Sequence, residues 1–340
     1  MASKGPVLVT GASGYIAGFI IQQLVAEGWS VRGTVRDPAK HGGLAATLGL
    51  KPEQLPLVAA DLTSDAGWAE AAAGCSHMIH VASPLPSSAD VTAEELTTAA
   101  KGGVLRALEA AKAAGIKRVV ATSSVAAICY GRDGEPPVFD ESYWTNPDHP
   151  DAYPYVVSKT KAERAARDWV AANAPDMEFV TINPSLVIGP VMGADRSTSL
   201  QAIEQLLSGK LPALPRIGFA VVDVRDVADA HVKAMTLPDM ANERFIVAGP
   251  FLWFSEIAQI LKRRLGERGR KVPTRTMPDW LVRFAALFNP EVRMIKSEIG
   301  RPRRCDTGHA RSKLGWTPRD AEESMVECAE SLIAAGIVRV

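Results

Sequence analysis

Tyr155-Val156-Val157-Ser158-Lys159 sets a phenol and an ammonium four residues apart, the spacing that stacks two side chains on one helix face. Pro154 just before them suits a first helical turn, where its missing N–H does no harm. A free phenol has a pKa of about 10, too high to exchange protons readily at neutral pH. A neighbouring Lys⁺ favours the phenolate and lowers that value, so the phenol becomes a usable general acid. Upstream, Thr122-Ser123-Ser124 closes a β-branched run. A hydroxyl at that point can donate to a carbonyl oxygen and stabilise a developing alkoxide. Ser124 is assigned this role, with Ser123 as the alternative.

A second cluster points to a dinucleotide. Val7-Leu8-Val9-Thr10-Gly11-Ala12-Ser13-Gly14-Tyr15-Ile16-Ala17 runs from an apolar strand straight into a helix. Gly11 permits the tight turn, and Gly14 lets the backbone approach a pyrophosphate at the helix N-terminus, so Ser13, Tyr15 and Ile16 join them as candidate contacts. After the second strand stand Arg36 and Lys40. A carboxylate there would hold the ribose hydroxyls of NAD, whereas an Arg accommodates the 2′-phosphate of NADP. Asp37 is the competing ribose acid, but two cations favour NADP(H) over NAD(H). Asp61 and Leu62 follow the third strand, where they meet the adenine edge or Asp61 caps the next helix. Val81, Ala82 and Ser83 end the fourth strand with small residues that let the backbone pass the cofactor, and His80 reads as a satisfied strand histidine. With a nicotinamide in place, a hydride meets a carbonyl polarised by Ser124 and protonated by Tyr155; the oxidised ring's positive charge adds to that of Lys159.

The elements that must position these groups alternate along the first half. Strands are expected over 6–10, 30–35, 57–59, 77–81, 118–122 and 178–183, with helices over 15–27, 65–73, 94–114 and 155–173. Such alternation implies right-handed crossovers and a parallel, doubly wound sheet. The second half is cut by Pro212, Pro215, Pro273, Pro278, Pro290, Pro302 and Pro318. Helices are expected there over 200–208, 225–236, 254–265, 279–288 and 321–334, with short strands over 220–224 and 245–247. This suits a smaller mixed α/β lobe above the carboxyl ends of the strands, where open sheets bind ligands.

The whole chain is consistent with that reading. It has 340 residues, 47% hydrophobic and 22% charged, with 38 basic and 38 acidic residues, so no global field draws it to nucleic acid. No run of 18 apolar residues and no signal-like leader occurs, which makes the cytoplasm and no membrane the expectation. Cys75, Cys129, Cys305 and Cys328 are scattered, without metal-ligand spacing or a disulfide pattern. The basic stretch from Lys262 to Lys271 reads as a solvated helix face, with a phosphate or CoA contact as the alternative.

The segments VTGASGYIAG, GTVRDPAK, HVASP, KRVVATSS, YPYVVSKTKAE, INPSLVIGP and VVDVRDVADAH together resemble the extended short-chain dehydrogenase/reductases over nearly the whole chain. Within them the chain is similar to the branch of dihydroflavonol reductases and microbial aldehyde and ketone reductases. The resemblance implies a Rossmann-type domain over 1–189, a substrate lobe over 190–340, and Ser124, Tyr155 and Lys159 as the catalytic set. It also implies that Arg36 takes the 2′-phosphate, that Asn183, Pro184 and Val187 wall the nicotinamide beside Thr122, and that Ser197, Thr198 and Ser199 reach the pyrophosphate side. Two positions depart from the family. Ala17 replaces the third glycine, which one methyl tolerates, and Arg106 stands where many members carry the Asn of a proton relay. A sugar-nucleotide epimerase or dehydratase, a cinnamoyl-CoA-type reductase and a non-catalytic cofactor sensor are the rivals. The pocket is expected from 83–86, 126–130, 143–153, 186–191 and 219–222, largely apolar and aromatic, which fits a small carbonyl compound; the protein is expected as a monomer or homodimer.

Overall fold

Short β-branched strands buried on both faces and Ala- and Leu-rich helices with one buried face generate the architecture. The computed structural model describes residues 5–84, 91–134, 136, 138–193, 198–288, 292 and 296–339. In chain order these form β1 (Val7–Thr10), α1 (Tyr15–Ala26), β2 (Val31–Val35), α2 (Leu44–Thr47), β3 (Leu57–Ala59), α3 (Trp68–Ala72) and β4 (His77–His80). There follow α4 (Ala93–Ala113), β5 (Arg118–Thr122), α5 (Pro154–Asn173), β6 (Glu178–Pro184), β7 (Leu186–Ile188), α6 (Gln201–Ser208), β8 (Gly218–Asp223) and α7 (Val224–Thr236). The chain continues through β9 (Arg244–Val247), β10 (Phe251–Trp253), α8 (Phe254–Leu265), α9 (Asp279–Ala285) and two further helices, Gly308–Leu314 and Ala321–Ala334.

Seven strands make one parallel sheet in the order β3-β2-β1-β4-β5-β6-β9. Alternate residues sort to its two faces. Val7, Val9, Ile79, Val120, Val180 and Ile182 pack with α1 and α7. Leu8, Met78, Val119, Ala121 and Phe179 pack with α3, α4 and α5. The expected doubly wound Rossmann-type sheet is therefore present. A smaller mixed sheet, β10-β8-β7, carries the second layer with α6, α8 and the helix Ala321–Ala334.

The sequence pattern placed most elements to within a residue or two. The strand expected at 245–247 in the lobe pairs in parallel with β6 as the edge of the main sheet. The helix expected from residue 65 starts at Trp68, behind Gly67 with φ of +84°. That at 279–288 stops at Ala285 and continues as a turn. Strands β7 and β10, the short α2 and the helix Gly308–Leu314 were not foreseen.

Candidate active site

The strand order reverses between β1 and β4, which opens the crevice where doubly wound sheets take ligands. Gly11 leaves β1 with φ of +67°, and a Cβ on it would stand 2.9 Å from Ala82 Cα. Thr10 Oγ1 ties the two strand ends together, accepting from Val81 N–H and Ala82 N–H at 3.1 Å each. Its proton is then directed to His80 Nδ1, 2.9 Å away. His80 is buried, and desolvation with help from Lys159 lowers its pKa to about 4, so it is a neutral strand histidine. Gly14 caps α1 without a side-chain bond, and no acidic residue occupies the first turn. The amides of Tyr15, Ile16 and Ala17 therefore meet the cleft as uncompensated donors, a fit for pyrophosphate. Ala17 is fully buried where the third glycine is usual, and Gly18 beside it takes the close contact with Leu48 and Met192.

At the adenosine end Arg36 is exposed just past β2. Asp37 caps the turn Pro38–His41 by accepting from Ala39 N–H at 3.1 Å, and it pairs with Lys40 at 3.4 Å. Asp61 accepts from Thr63 Oγ1 at 2.6 Å and Thr63 N–H at 2.7 Å. Those bonds, with Arg36 and Arg106 adding, hold its carboxyl below the usual range. It is not the cap of α3, which is Gly67. Leu62 packs against Gly103, where a Cβ would come within 2.5 Å of it. Arg106 turns to this loop, binding Asp65 Oδ1 at 2.5 Å and Leu62 O at 2.9 Å.

At the other end α5 starts at Pro154, which places Tyr155 and Lys159 one turn apart. Lys159 is buried, with its Nζ 5.9 Å from the Tyr155 ring centroid. Adjacent residues of the β5 end part to opposite sides. Thr122 Oγ1 meets His231 Nε2 on α7 at 2.7 Å, and Ser123 donates to Glu163 Oε2 on α5 at 2.5 Å. Ser124 follows as the cap of the turn Val125–Ala127, accepting from Ala126 N–H at 3.1 Å and reaching Pro184 O at 3.4 Å. Tyr15 has its hydroxyl buried without a hydrogen-bond partner, and burial pushes the phenol well up.

Of the pocket segments, Ala126 to Cys129 are buried backing and Tyr130 is half-buried, edge-on to Tyr153 at 5.8 Å. Pro184 and Val187 are buried beside the β5 end, Ser83 is half-buried in the cleft wall, and Ser199 sits in the turn Thr198–Leu200. Ser197 and the pocket positions 85 and 86 lie outside the described residues. Three arginines of the basic stretch pair with the last helix, Arg263 and Arg264 with Glu322, Arg264 with Glu323, and Arg268 with Glu330, while Lys262 and Lys271 donate to Val272 O and Arg339 O. Among the described residues no group of three His, Cys, Asp or Glu is placed to hold a metal, and no helix is long and apolar enough to cross a membrane.

One residue the sequence reading passed over is Glu163. It lies one turn beyond Lys159 and is buried, where Arg244, Arg167, Ser123, Thr181 and Asn183 all donate to it. A charge in KTKAE reads as solvated surface. The available signal was its place four residues from Lys159 on the stripe that continues through Ala166 and Val170.

The family model described as the NAD dependent epimerase/dehydratase family matches residues 7–249. The chain belongs to that family. Among curated relatives of this epimerase/dehydratase-family chain, the cinnamoyl-CoA reductase CAD2 of Medicago truncatula is 39% identical over 264 residues, 75% of this chain and 79% of that one. Tetraketide alpha-pyrone reductase 1 of Arabidopsis thaliana is 33% identical over 341 residues, 98% and 97% of the two chains. Among solved structures, Gre2 in complex with NADPH from Candida albicans superposes with a TM-score of 0.81 at 27% identity, covering 97% of this chain and 99% of its own. The expected extended short-chain dehydrogenase/reductase is thereby established, and the chain is an oxidoreductase of the reductase kind.

Proposed function

We propose that the protein is an NADPH-dependent carbonyl reductase that converts an aldehyde or ketone with an apolar or aromatic body into its alcohol. The observation that carries this reading is the buried Lys159 ammonium one turn from the Tyr155 ring, on a helix packed against the Ser124 end of β5. Bound NADPH supplies the hydride. Tyr155 gives the proton to the carbonyl oxygen, and Lys159 favours the phenolate left behind. Ser124 donates to the same oxygen; its 3.4 Å reach to Pro184 O leaves the hydroxyl proton free for a nearer acceptor.

In this reading Gly11, Ser13, Gly14, Tyr15 and Ile16 seat the pyrophosphate. Arg36 and Lys40 take the 2′-phosphate, with Asp61 and Leu62 beside the adenine. Val81, Ala82, Ser83, Thr122, Pro184 and Val187 flank the nicotinamide half, and Ser199 approaches from the lobe. Residues 1–189 with α7 and β9 form the cofactor domain, and the remainder forms mainly the substrate lobe, acting in the cytoplasm as a monomer or homodimer. A free carbonyl compound is favoured over a CoA thioester because three arginines of the basic stretch that could meet CoA phosphates, Arg263, Arg264 and Arg268, are already paired with Glu322, Glu323 and Glu330.

The test is a panel of aliphatic and aromatic aldehydes, ketones, a dihydroflavonol and cinnamoyl-CoA, each assayed with NADPH and NADH. Tyr155→Phe should cut turnover by about 10²–10⁴-fold on the preferred substrate, with NADPH affinity little changed. Wild-type turnover in that variant, or activity confined to the thioester, would reject the reading.

A further inference from the structure

We propose that Glu163 is a positioning residue for this reaction: its buried carboxylate holds the Ser123-Ser124 strand end in register with the helix that carries Tyr155 and Lys159. The inference rests on the assignment of Ser124 as the carbonyl-polarising hydroxyl.

Tyr155, Lys159 and Glu163 follow one another at four-residue steps along α5, and Lys159 and Glu163 are both buried. From the third of these positions the carboxylate reaches the end of β5, β6 and β9. Oε2 accepts from Ser123 Oγ at 2.5 Å and from Asn183 Nδ2 at 2.9 Å. Oε1 accepts from Arg244 Nε at 2.7 Å, Thr181 Oγ1 at 3.2 Å and Arg167 Nε at 3.4 Å. Asn183 Nδ2 also donates to Ser124 O at 3.1 Å. The dipeptide is thus gripped twice, through the Ser123 hydroxyl and through the Ser124 carbonyl, and both grips end on one carboxylate. The aim of the Ser124 hydroxyl at an oxygen protonated by Tyr155 depends on this tie between β5 and α5.

The charge is held in place from behind. Arg244 is buried and three of its four other N–H groups go to Glu141 O, Tyr143 O and Ala127 O, with the guanidinium 3.8 Å from the Trp144 ring centroid. Burial alone would raise the Glu163 pKa, but Arg244 and Arg167 together with the hydrogen bonds from Ser123 and Arg244 outweigh it and hold the carboxyl below its usual range. All five groups donate to the carboxylate, and the two guanidiniums and the Asn183 NH₂ can only donate, so an acceptor-only side chain suits the site. Gln has the same shape but must turn an NH₂ either on the two guanidiniums or on the Asn183 NH₂. That makes Glu163→Gln a probe of register at constant volume.

The experiment is a double-mutant cycle on turnover with the Ser124→Ala variant. Glu163→Gln should lower kcat by about tenfold or more while the carbonyl KM and the NADPH Kd stay within about threefold. In the Ser124→Ala background the same substitution should cost less than about twofold, because the hydroxyl it positions is gone. Equal losses in both backgrounds, a Glu163→Gln enzyme as fast as wild type, or a fall in NADPH affinity in step with kcat would each overturn the inference. Wild-type turnover in Ser124→Ala alone would instead reject the reading of the site on which it rests. Should Glu163→Gln not fold, Asn183→Leu cuts the second grip and is judged by the same cycle; its Oδ1 has no hydrogen-bond partner to lose.

Discussion

Removal of the Arg36 side chain separates the two nicotinamide cofactors at the one point where they differ. Arg36 lies exposed past the end of β2, and its charge already acts on Asp61 across the adenosine end of the cleft. A charge-assisted hydrogen bond to a phosphate contributes about 1.5–3 kcal/mol. Exposure to solvent moves this site to the lower part of that range, and Lys40 remains to meet part of the charge. Arg36→Ala should therefore raise the NADPH Kd by about tenfold to thirtyfold. The NADH Kd should change by less than about twofold, since its ribose has no phosphate there. Asp37 does not compensate, because its carboxylate is engaged by Ala39 N–H and Lys40. Fluorescence titration of both cofactors at low ionic strength reads the difference, and the NADPH penalty should shrink as salt is added. Equal losses for the two cofactors would refute the reasoning, and a wild-type preference for NADH would transfer the site to Asp37.

Ser124→Ala should lose turnover on the order of a hundredfold, the effect of one preorganised donor, while Ser123→Ala stays within a few-fold because Asn183 keeps the strand end tied; saturating-NADPH assays of both decide it. Arg244→Met leaves the Glu163 carboxylate buried with one guanidinium fewer and should destabilise the fold by about 3–5 kcal/mol, a fall in Tm of about 4–7 °C by calorimetry. A shift under 2 °C would show the network to be dispensable. His80 and His231 are buried with pKa values of about 4, below the unfolded value of about 6.5. On acidification the unfolded chain takes up these protons first, so their contribution is intact above about pH 6.5 and lost on the way to pH 4. Urea midpoints at pH 7.5 and 5 should show that loss, with a smaller drop in His231→Leu; an unchanged drop would remove His231 from the account.

The sequence carried the local half of this structure well. Strand–helix alternation, the glycine loop and the Tyr155–Lys159 step are all set by neighbours within a few residues, and each was readable. What depended on distant partners was not. Phe251–Trp253 is a strand only because Gly218–Asp223 lies beside it, and nothing in three apolar residues announces that pairing. Arg244–Val247 reads as a buried strand, but the choice of β6 as its neighbour is made by the fold. Strand alternation says only that Ser123 and Ser124 point to different sides, and the family resemblance favours Ser124, whereas the Glu163 cluster gathers residues 40 and 81 positions away and looks like surface charge in the primary structure. Asp37 was ambiguous for the opposite reason, since capping and ribose binding ask for the same side chain.

The return of β9 to the large sheet makes the two lobes inseparable as pieces of chain. A fragment ended after β7 would lack both α7, which covers one face beside α1, and the edge strand that closes β6. Six of the seven residues of β6 are buried in the whole molecule. Their backbone N–H and C=O groups would then stand open along an apolar border, a template for strand addition by any neighbouring copy. Excising the cofactor domain by cutting before residue 190 should therefore give aggregates, and a soluble minimal module must retain the stretch through Val247. Grafting a foreign substrate lobe faces the same constraint: it needs at least three junctions, after β7, before α7 and after β9, because the polypeptide leaves the large sheet, comes back and leaves again.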